Sequence, residues 1–246
     1  MPYSGLVSSN MKPLTAIIFT DLDGTLLDHH DYNFDAAKPA LRVVRQRGIP
    51  LILTTSKTLE EVKVINQALE NPEPAIVENG CAMCFPLAYH YPFEITRHER
   101  IGDYAVVRNP PSYEQIRQFI KQQRTNHARQ LRGFADMSAA EVAESTGLAE
   151  YEAENAKQRL CSEPFEWLDT EENFNQFVAA AETAGLRVIR GGRFWHLMGR
   201  SSKALALDAM RALFAGEDGG PLTVIALGDS ENDVSMLQSA DIAVVV

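Results

Sequence analysis

The chain has 246 residues, a length that fits one large domain or two small ones. Hydrophobic residues make up 45% and charged residues 23%, which excludes a disordered or collagen-like chain. With 23 Lys+Arg against 33 Asp+Glu the net charge is −10, which argues against nonspecific nucleic-acid binding and against docking on anionic lipid.

Leu14 to Thr20 is a short run of branched apolar residues with carboxylates directly after it, the pattern of a buried parallel strand. Asp35 to Gly48 has helical spacing, and Ile49 to Thr54 is a second buried strand. Thr58 to Leu69 carries Leu59, Val62, Ile65, Ala68 and Leu69 on one stripe, and Ala75 to Glu78 is a third strand. Strands alternating with helices predict a parallel sheet covered on both faces.

From about Phe85 the strands become short and separated. Helices are predicted over Ser112 to Arg132, Ser138 to Thr146 (where Ser138 and Glu141 have capping-box spacing) and Glu171 to Ala184. Leu186 to Arg190 and Arg193 to Met198 flank Gly191-Gly192 and predict a hairpin. The first pattern then resumes. A helix capped by Ser201 or Ser202 runs to Phe214, and Gly219-Gly220-Pro221 ends it. Leu222 to Leu227 is a buried strand, Ser230 to Gln238 a helix and Asp241 to Val246 a further strand. The expected fold is α/β: a doubly wound, Rossmann-like parallel-sheet core built from residues 1–84 and 199–246, with an α/β cap inserted at residues 85–198.

The chemistry-bearing residues cluster at strand ends. Asp21-Leu22-Asp23-Gly24-Thr25 places two carboxylates at the carboxyl end of the first strand, where open α/β sheets bind ligands. Gly24 permits a chain reversal that folds the second carboxylate back over the site. Gly228-Asp229-Ser230-Glu231-Asn232-Asp233 follows another buried strand and aims Asp229 at the same crevice. Carboxylates that converge repel unless a cation is present, and oxygen-only ligation suits Mg2+. Lys203, in the first turn of a helix, opposes the helix dipole and becomes reasonable if Asp233 orients it toward an anion. Thr54-Thr55-Ser56-Lys57 offers hydroxyl groups at the second strand's end, beside a helix N-terminus.

These four pieces, in this order, resemble the haloacid dehalogenase superfamily of phosphohydrolases. The resemblance implies Asp21 as nucleophile, Asp23 as general acid/base with its backbone carbonyl on the metal, and Thr55 and Lys203 as phosphoryl-binding groups. It implies Mg2+ held at Asp21, Asp23 and Asp229, supported by Asn232 and Asp233. The inserted domain resembles the large α/β cap of sugar-phosphate phosphatases. Thr55-Ser56-Lys57-Thr58, Glu78-Asn79-Gly80, the Arg159 to Phe165 segment and Gly192 to His196 resemble the mannosyl-3-phosphoglycerate phosphatase group, over essentially the whole chain. That implies a small phosphorylated sugar-glycerate substrate, hydrolysed to mannosylglycerate and phosphate. Lys57 would lie near the phosphate or the glycerate carboxylate, and Asn79, Arg159, Ser162 and Glu163 would also contact substrate. A glucosyl-3-phosphoglycerate or other sugar-phosphate phosphatase, a phosphosugar mutase and a catalytically silent sugar-phosphate-binding module are the rival readings. Members of this shape continue with further helical segments past the point matching Val246, so an edge element of the core is expected to be missing.

Other signals carry less. The odd count of cysteines, Cys81, Cys84 and Cys161, implies no disulfide framework and a reducing compartment, the cytoplasm. Cys81 and Cys84 have C-x-x-C spacing, but with one distant partner they complete no zinc site. No stretch approaches the roughly 18 apolar residues of a membrane span. Met1 to Pro13 lacks a signal peptide's apolar core and reads as a disordered lead-in. His29 and His30 read as solvated, and His196 as a packed or hydrogen-bonded residue.

Overall fold

The computed structural model describes residues 15–28, 32–191, 193–216 and 221–246. The lead-in at Met1 to Pro13, the first residue of the predicted strand (Leu14), His29 and His30, Gly192 of the predicted turn and the Gly219-Gly220 breaker lie outside them.

Branched apolar strands build the larger sheet. β1 (Ala16–Thr20) pairs in parallel with β2 (Leu51–Thr54) on one side and β11 (Thr223–Gly228) on the other. β3 (Ala75–Val77) extends the sheet beyond β2, and β12 (Ile242–Val245) lies outside β11. Side chains alternate across the pleat. Ile17 and Phe19 pack with Ile52 and Ile76 under α7 (Lys203–Ala215) and α8 (Val234–Ser239). Leu51, Leu53 and Val77 pack on the other face, under α1 (Lys38–Gln46) and α2 (Leu59–Leu69). α2 and α7 start where predicted, whereas α1 and α8 follow single 3-10 turns at Asp35–Ala37 and Glu231–Asp233 and so start later than predicted. Thr58 and Glu61 form a reciprocal capping box on α2, and Ser202 Oγ accepts from Leu205 N–H on α7 at 3.1 Å.

The expected start of the insert at residue 85 falls inside this sheet. β4 (Ala82–Pro86), β5 (Glu99–Ile101) and β6 (Tyr104–Arg108) add antiparallel to β3, giving the order β12-β11-β1-β2-β3-β4-β6-β5. The reason is a sharp reversal at Glu78-Asn79-Gly80. All three residues take positive φ, and the chain folds straight back along β3. The loop between β4 and β5 carries an aromatic cluster. Tyr91 and Phe93 meet Phe85 edge-on at 5.5 and 6.2 Å, and Phe93 meets Phe214 at 5.2 Å.

Beside this cluster, Tyr89 donates to Glu73 Oε1 at 3.1 Å while Glu73 Oε2 is buried without a partner. Burial pushes Glu73 from the ordinary 4.5 up to about 7, and the Tyr89 bond only partly opposes it. A raised carboxyl pKa stabilises the fold while the group is protonated, and that contribution is lost as pH rises from about 4.5 through 7. Glu73→Gln removes the titration. We expect this variant to be the more stable form at pH 8, by about 2 kcal/mol or less, and no more stable at pH 4. Thermal melts of both proteins across pH check this, and parallel melting curves would refute it.

A second, four-stranded antiparallel sheet lies within the span expected as the insert, in the order β7-β8-β10-β9. It contains β7 (Leu131–Gly133), β8 (Ser162–Trp167), β9 (Leu186–Arg190) and β10 (Trp195–Gly199). α3 (Tyr113–His127) and α6 (Glu171–Thr183) cover one face through Ile116, Ile120, Phe177 and Ala181. α4 (Ala139–Thr146) and α5 (Glu150–Lys157) form a small separate pair. The helix predicted over Ser112 to Arg132 therefore ends early. Ala128 takes the left-handed conformation at its C-cap, and Leu131 and Arg132 enter β7. β9 and β10 pair as the predicted hairpin requires, with Arg190 opposite Trp195.

Candidate active site

Three strand ends deliver the site. Asp21 follows β1, and its N–H donates to Leu227 O on the neighbouring β11 at 3.0 Å. Asp229 follows β11 itself. Gly24 turns the chain so closely over Asp229 that a Cβ there would lie 2.6 Å from Asp229 Oδ2. Thr25 Oγ1 also reaches Asp229 Oδ1, at 3.2 Å. The chain reversal expected of Gly24 is present, with φ +78°.

Lys203 enters from the first turn of α7. Its ammonium is buried and donates to Asp21 Oδ1 and Asp233 Oδ1, each at 2.6 Å. The expected orientation of Lys203 by Asp233 is thus observed. Burial works against the lysine's charge, but the two carboxylates outweigh it and raise its pKa. Asp233 is held in turn by Ser230, whose N–H and Oγ donate to Oδ2 at 3.2 and 2.8 Å. Burial raises Asp21 from 3.8 to about 6; Lys203 lowers it and Asp233 raises it further. So Lys203 alone does not compensate the acids around it.

Asp21, Asp229 and Asp233 each bring a carboxylate oxygen to within 4.8 Å of the others. This all-oxygen donor set, with Asp21 under-compensated, fits a hard divalent cation. Asp23 lies at the edge of the cluster. Its Oδ2 pairs with Lys57 Nζ at 3.0 Å, and its Oδ1 is buried with no partner. A carboxylate oxygen left bare beside a nucleophile candidate is available for proton transfer.

Thr55 is buried at the end of β2, and its Oγ1 accepts from Lys57 N–H at 3.2 Å. Asn79 sits between these parts. Its N–H donates to Thr55 O at 2.9 Å, and its Oδ1 accepts from Asn232 Nδ2 at 3.3 Å. Gly80 next to it, at φ +91°, approaches the α7 cap so tightly that a Cβ would lie 2.1 Å from Ser202 O. Lys57 faces Asp23 and, at 4.0 Å, Glu61, which together keep its pKa raised against the effect of burial.

The insert residues divide by strand alternation. Arg159 reaches across to Ser56 O at 3.1 Å and donates to Ser162 Oγ at 2.8 Å. Ser162 Oγ donates to Glu78 Oε2 at 2.6 Å. Glu163, expected toward substrate, alternates to the opposite face, under α3. There its carboxylate is taken up by Tyr113 Oη at 2.6 Å, Arg117 Nη1 at 2.8 Å and Ala135 N–H at 3.0 Å. His196, paired with Pro164, is buried as expected, with Nδ1 unpartnered; burial, then Arg159, push its pKa down to about 3. Cys81, Cys84 and Cys161 are free and buried.

One residue has a role that the sequence did not show. Glu78, fully buried in the catalytic layer, accepts from Leu160 N–H (2.6 Å), Cys161 N–H (3.1 Å) and Ser162 Oγ. It ties the insert to the same turn that positions Asn79. The sequence marked it only as part of the Glu78-Asn79-Gly80 resemblance and as a carboxylate after the apolar run Ala75-Ile76-Val77.

A carboxylate pair after the first strand, a buried lysine and an acidic turn after β11 define a phosphotransfer-type α/β site. The family comparison agrees. Residues 18–183 match the model for haloacid dehalogenase-like hydrolases, and the chain belongs to that family. It is 38% identical over 231 residues to a glucosyl-3-phosphoglycerate/mannosyl-3-phosphoglycerate phosphatase of Persephonella marina, covering 94% of this chain and 84% of that protein. It is 40% identical over 230 residues to the protein of that name from Methanococcoides burtonii, with the same shares covered. Among solved structures, a haloalkanoate-superfamily phosphatase of Bacteroides thetaiotaomicron aligns with a TM-score of 0.63 at 20% identity, over 98% of this chain and 87% of that one. That likeness speaks to fold. No helix among the described residues is long and apolar enough to cross a membrane.

Proposed function

We propose that this protein is a Mg2+-dependent cytoplasmic phosphatase that hydrolyses a glycosyl-3-phosphoglycerate, with the mannosyl form as first substrate and the glucosyl form as second. The observation that carries this reading is the buried Asp21 carboxylate, held by Lys203 beside the bare Oδ1 of Asp23. The names of the two relatives supply the substrate class.

In this reading an Asp21 oxygen attacks phosphorus and the bond to the glycerate oxygen breaks. Asp23 gives its proton to that leaving oxygen. Asp23 then takes a proton from a water, whose oxygen attacks the aspartyl-phosphate and frees Asp21 and inorganic phosphate. Splitting one displacement into two lowers each barrier. Thr55 and Lys203 bind the phosphoryl oxygens, and Asn232 and Asp233 steady the site. Asp21, Asp229 and the Asp23 backbone carbonyl would hold Mg2+, which when bound offsets the charge of the transferring group. Lys57 tunes Asp23. Asn79 orients Asn232, and Arg159 contacts the sugar from the insert, steadied by Ser162, whose buried hydroxyl is taken up by Arg159 and Glu78.

Phosphate release measured over mannosyl- and glucosyl-3-phosphoglycerate and simple hexose phosphates tests this. The glycosyl-3-phosphoglycerates should be turned over with the highest kcat/KM. A chelator should stop the reaction and added Mg2+ should restore it. Preference for hexose monophosphates would overturn the substrate. Isomerisation without free phosphate would establish a mutase instead.

A further inference from the structure

We infer that Arg187 of the insert receives the carboxylate of a phosphoglycerate-type substrate, making the cleft opposite Lys203 a second anion subsite beside the phosphoryl site. The inference rests on the substrate reading above and deepens it.

It begins with alternation along β9. Val188 packs into the insert's own core, whereas Ile189 packs against the catalytic layer. Arg187, two residues before Ile189, therefore leans toward the catalytic side. There it lines a cleft of about 520 Å³ whose opposite wall includes Asn79, Lys203 and Asn232. Lys203 bonds Asp21, and Asn232 bonds Asn79, so this wall is continuous with the phosphoryl site.

Arg187 has no counterion among the described residues. Its Nε is buried without a hydrogen-bond partner, and the Cys81 thiol is the group that acts on it besides burial. The contrast is with Arg117, which pairs with Asp136 and Glu163, and Arg159, whose Nε lies 3.6 Å from Glu78. A half-buried guanidinium without an anion is costly to keep, unless a ligand brings the anion. Arg190 stands at the rim, its guanidinium 4.8 Å from the Trp195 ring. Three cationic side chains line this cleft against one acid, Glu231, in a chain of net charge −10.

The chemistry selects the ligand. A simple hexose phosphate has one anionic group, already served by Lys203 and its neighbours. A glycosyl-3-phosphoglycerate has a second, the carboxylate, on the same three-carbon skeleton as the phosphate. A guanidinium fork matches a carboxylate through two parallel N–H donors. Lys57, the residue expected near that carboxylate or the phosphate, is already paired with Asp23.

The test compares 3-phosphoglycerate with glycerol 3-phosphate, which differ by a carboxylate against a hydroxymethyl group. Both are titrated calorimetrically into the full chain carrying Asp21→Asn, with Mg2+ present. We expect 3-phosphoglycerate to bind at least about tenfold tighter, as a charge-assisted bond requires. Adding Arg187→Met should make the two affinities equal, and Arg187→Lys should restore part of the preference. Residual binding of glycerol 3-phosphate reports that the variant has folded. The inference is overturned if the parent shows no preference, if the preference survives Arg187→Met, or if both ligands lose affinity equally. Should the wild type release no phosphate from glycosyl-3-phosphoglycerates while the preference holds, the substrate reading fails and the subsite stands.

Discussion

Replacing Asp21 by asparagine should abolish phosphate release while leaving the fold intact. An amide is nearly the same shape, so its oxygen can still accept from Lys203, but it is no nucleophile toward phosphorus. Removing a covalent nucleophile costs on the order of 10,000-fold or more in kcat. Stability should move the other way in metal-free protein. Asp21 is raised to about 6, chiefly by burial. A raised carboxyl pKa stabilises below about 3.8, and that stabilisation is lost as pH rises through 6. Asparagine has no proton to lose, and Lys203 keeps Asp233 as its partner. At pH 8 without metal, Asp21→Asn should therefore melt at or above the wild-type temperature. Retained turnover would end the nucleophile assignment. A clear drop in melting temperature would mean that the Asp21–Lys203 pair outweighs the burial of its charge.

The site was more legible in sequence than the architecture around it. Asp21, Asp23, Lys203, Asp229 and Asp233 each sit at the end of a buried strand or the start of a helix, and such ends can be read from local patterns. Their convergence follows because a parallel sheet delivers its strand ends to one edge. Parts of the insert obeyed no such local rule. β7 and β8 are held by pairing with distant strands, and β8 contains Pro164, which weakens its strand signal. α5 carries only two buried alanines, Ala153 and Ala156, so it shows no apolar stripe. β4, β5 and β6 joined the core sheet through a reversal at Glu78-Asn79 that non-glycine residues rarely adopt. Glu163 went astray for a related reason. Motif position placed it beside Ser162, but strand alternation sends neighbours to opposite faces.

Lys203→Met should be the most damaging single change outside the nucleophile, to stability as well as to rate. The lysine side chain is 1% exposed, and its ammonium is the cation between Asp21 and Asp233. Methionine fills similar volume but leaves two buried carboxylates facing each other. Removing one partner of a buried ion pair costs about 3–5 kcal/mol. For a chain of this size each kcal/mol moves the midpoint by about 2–4 °C, so Tm should fall by about 6–20 °C. Phosphate release should drop by about 1,000-fold, since a charge aimed at the transferring group is lost. The sign of the pH response separates this mechanism from simple loss of packing. Without Lys203 the factor that lowers the Asp21 pKa is gone, so Asp21 takes up a proton at higher pH than in the wild type. Lowering the pH from 8 to 6 should then recover part of the lost Tm. A packing defect would persist unchanged at both pH values, and a variant melting within about 2 °C of wild type at pH 8 would show that the two acids do not need this cation to coexist.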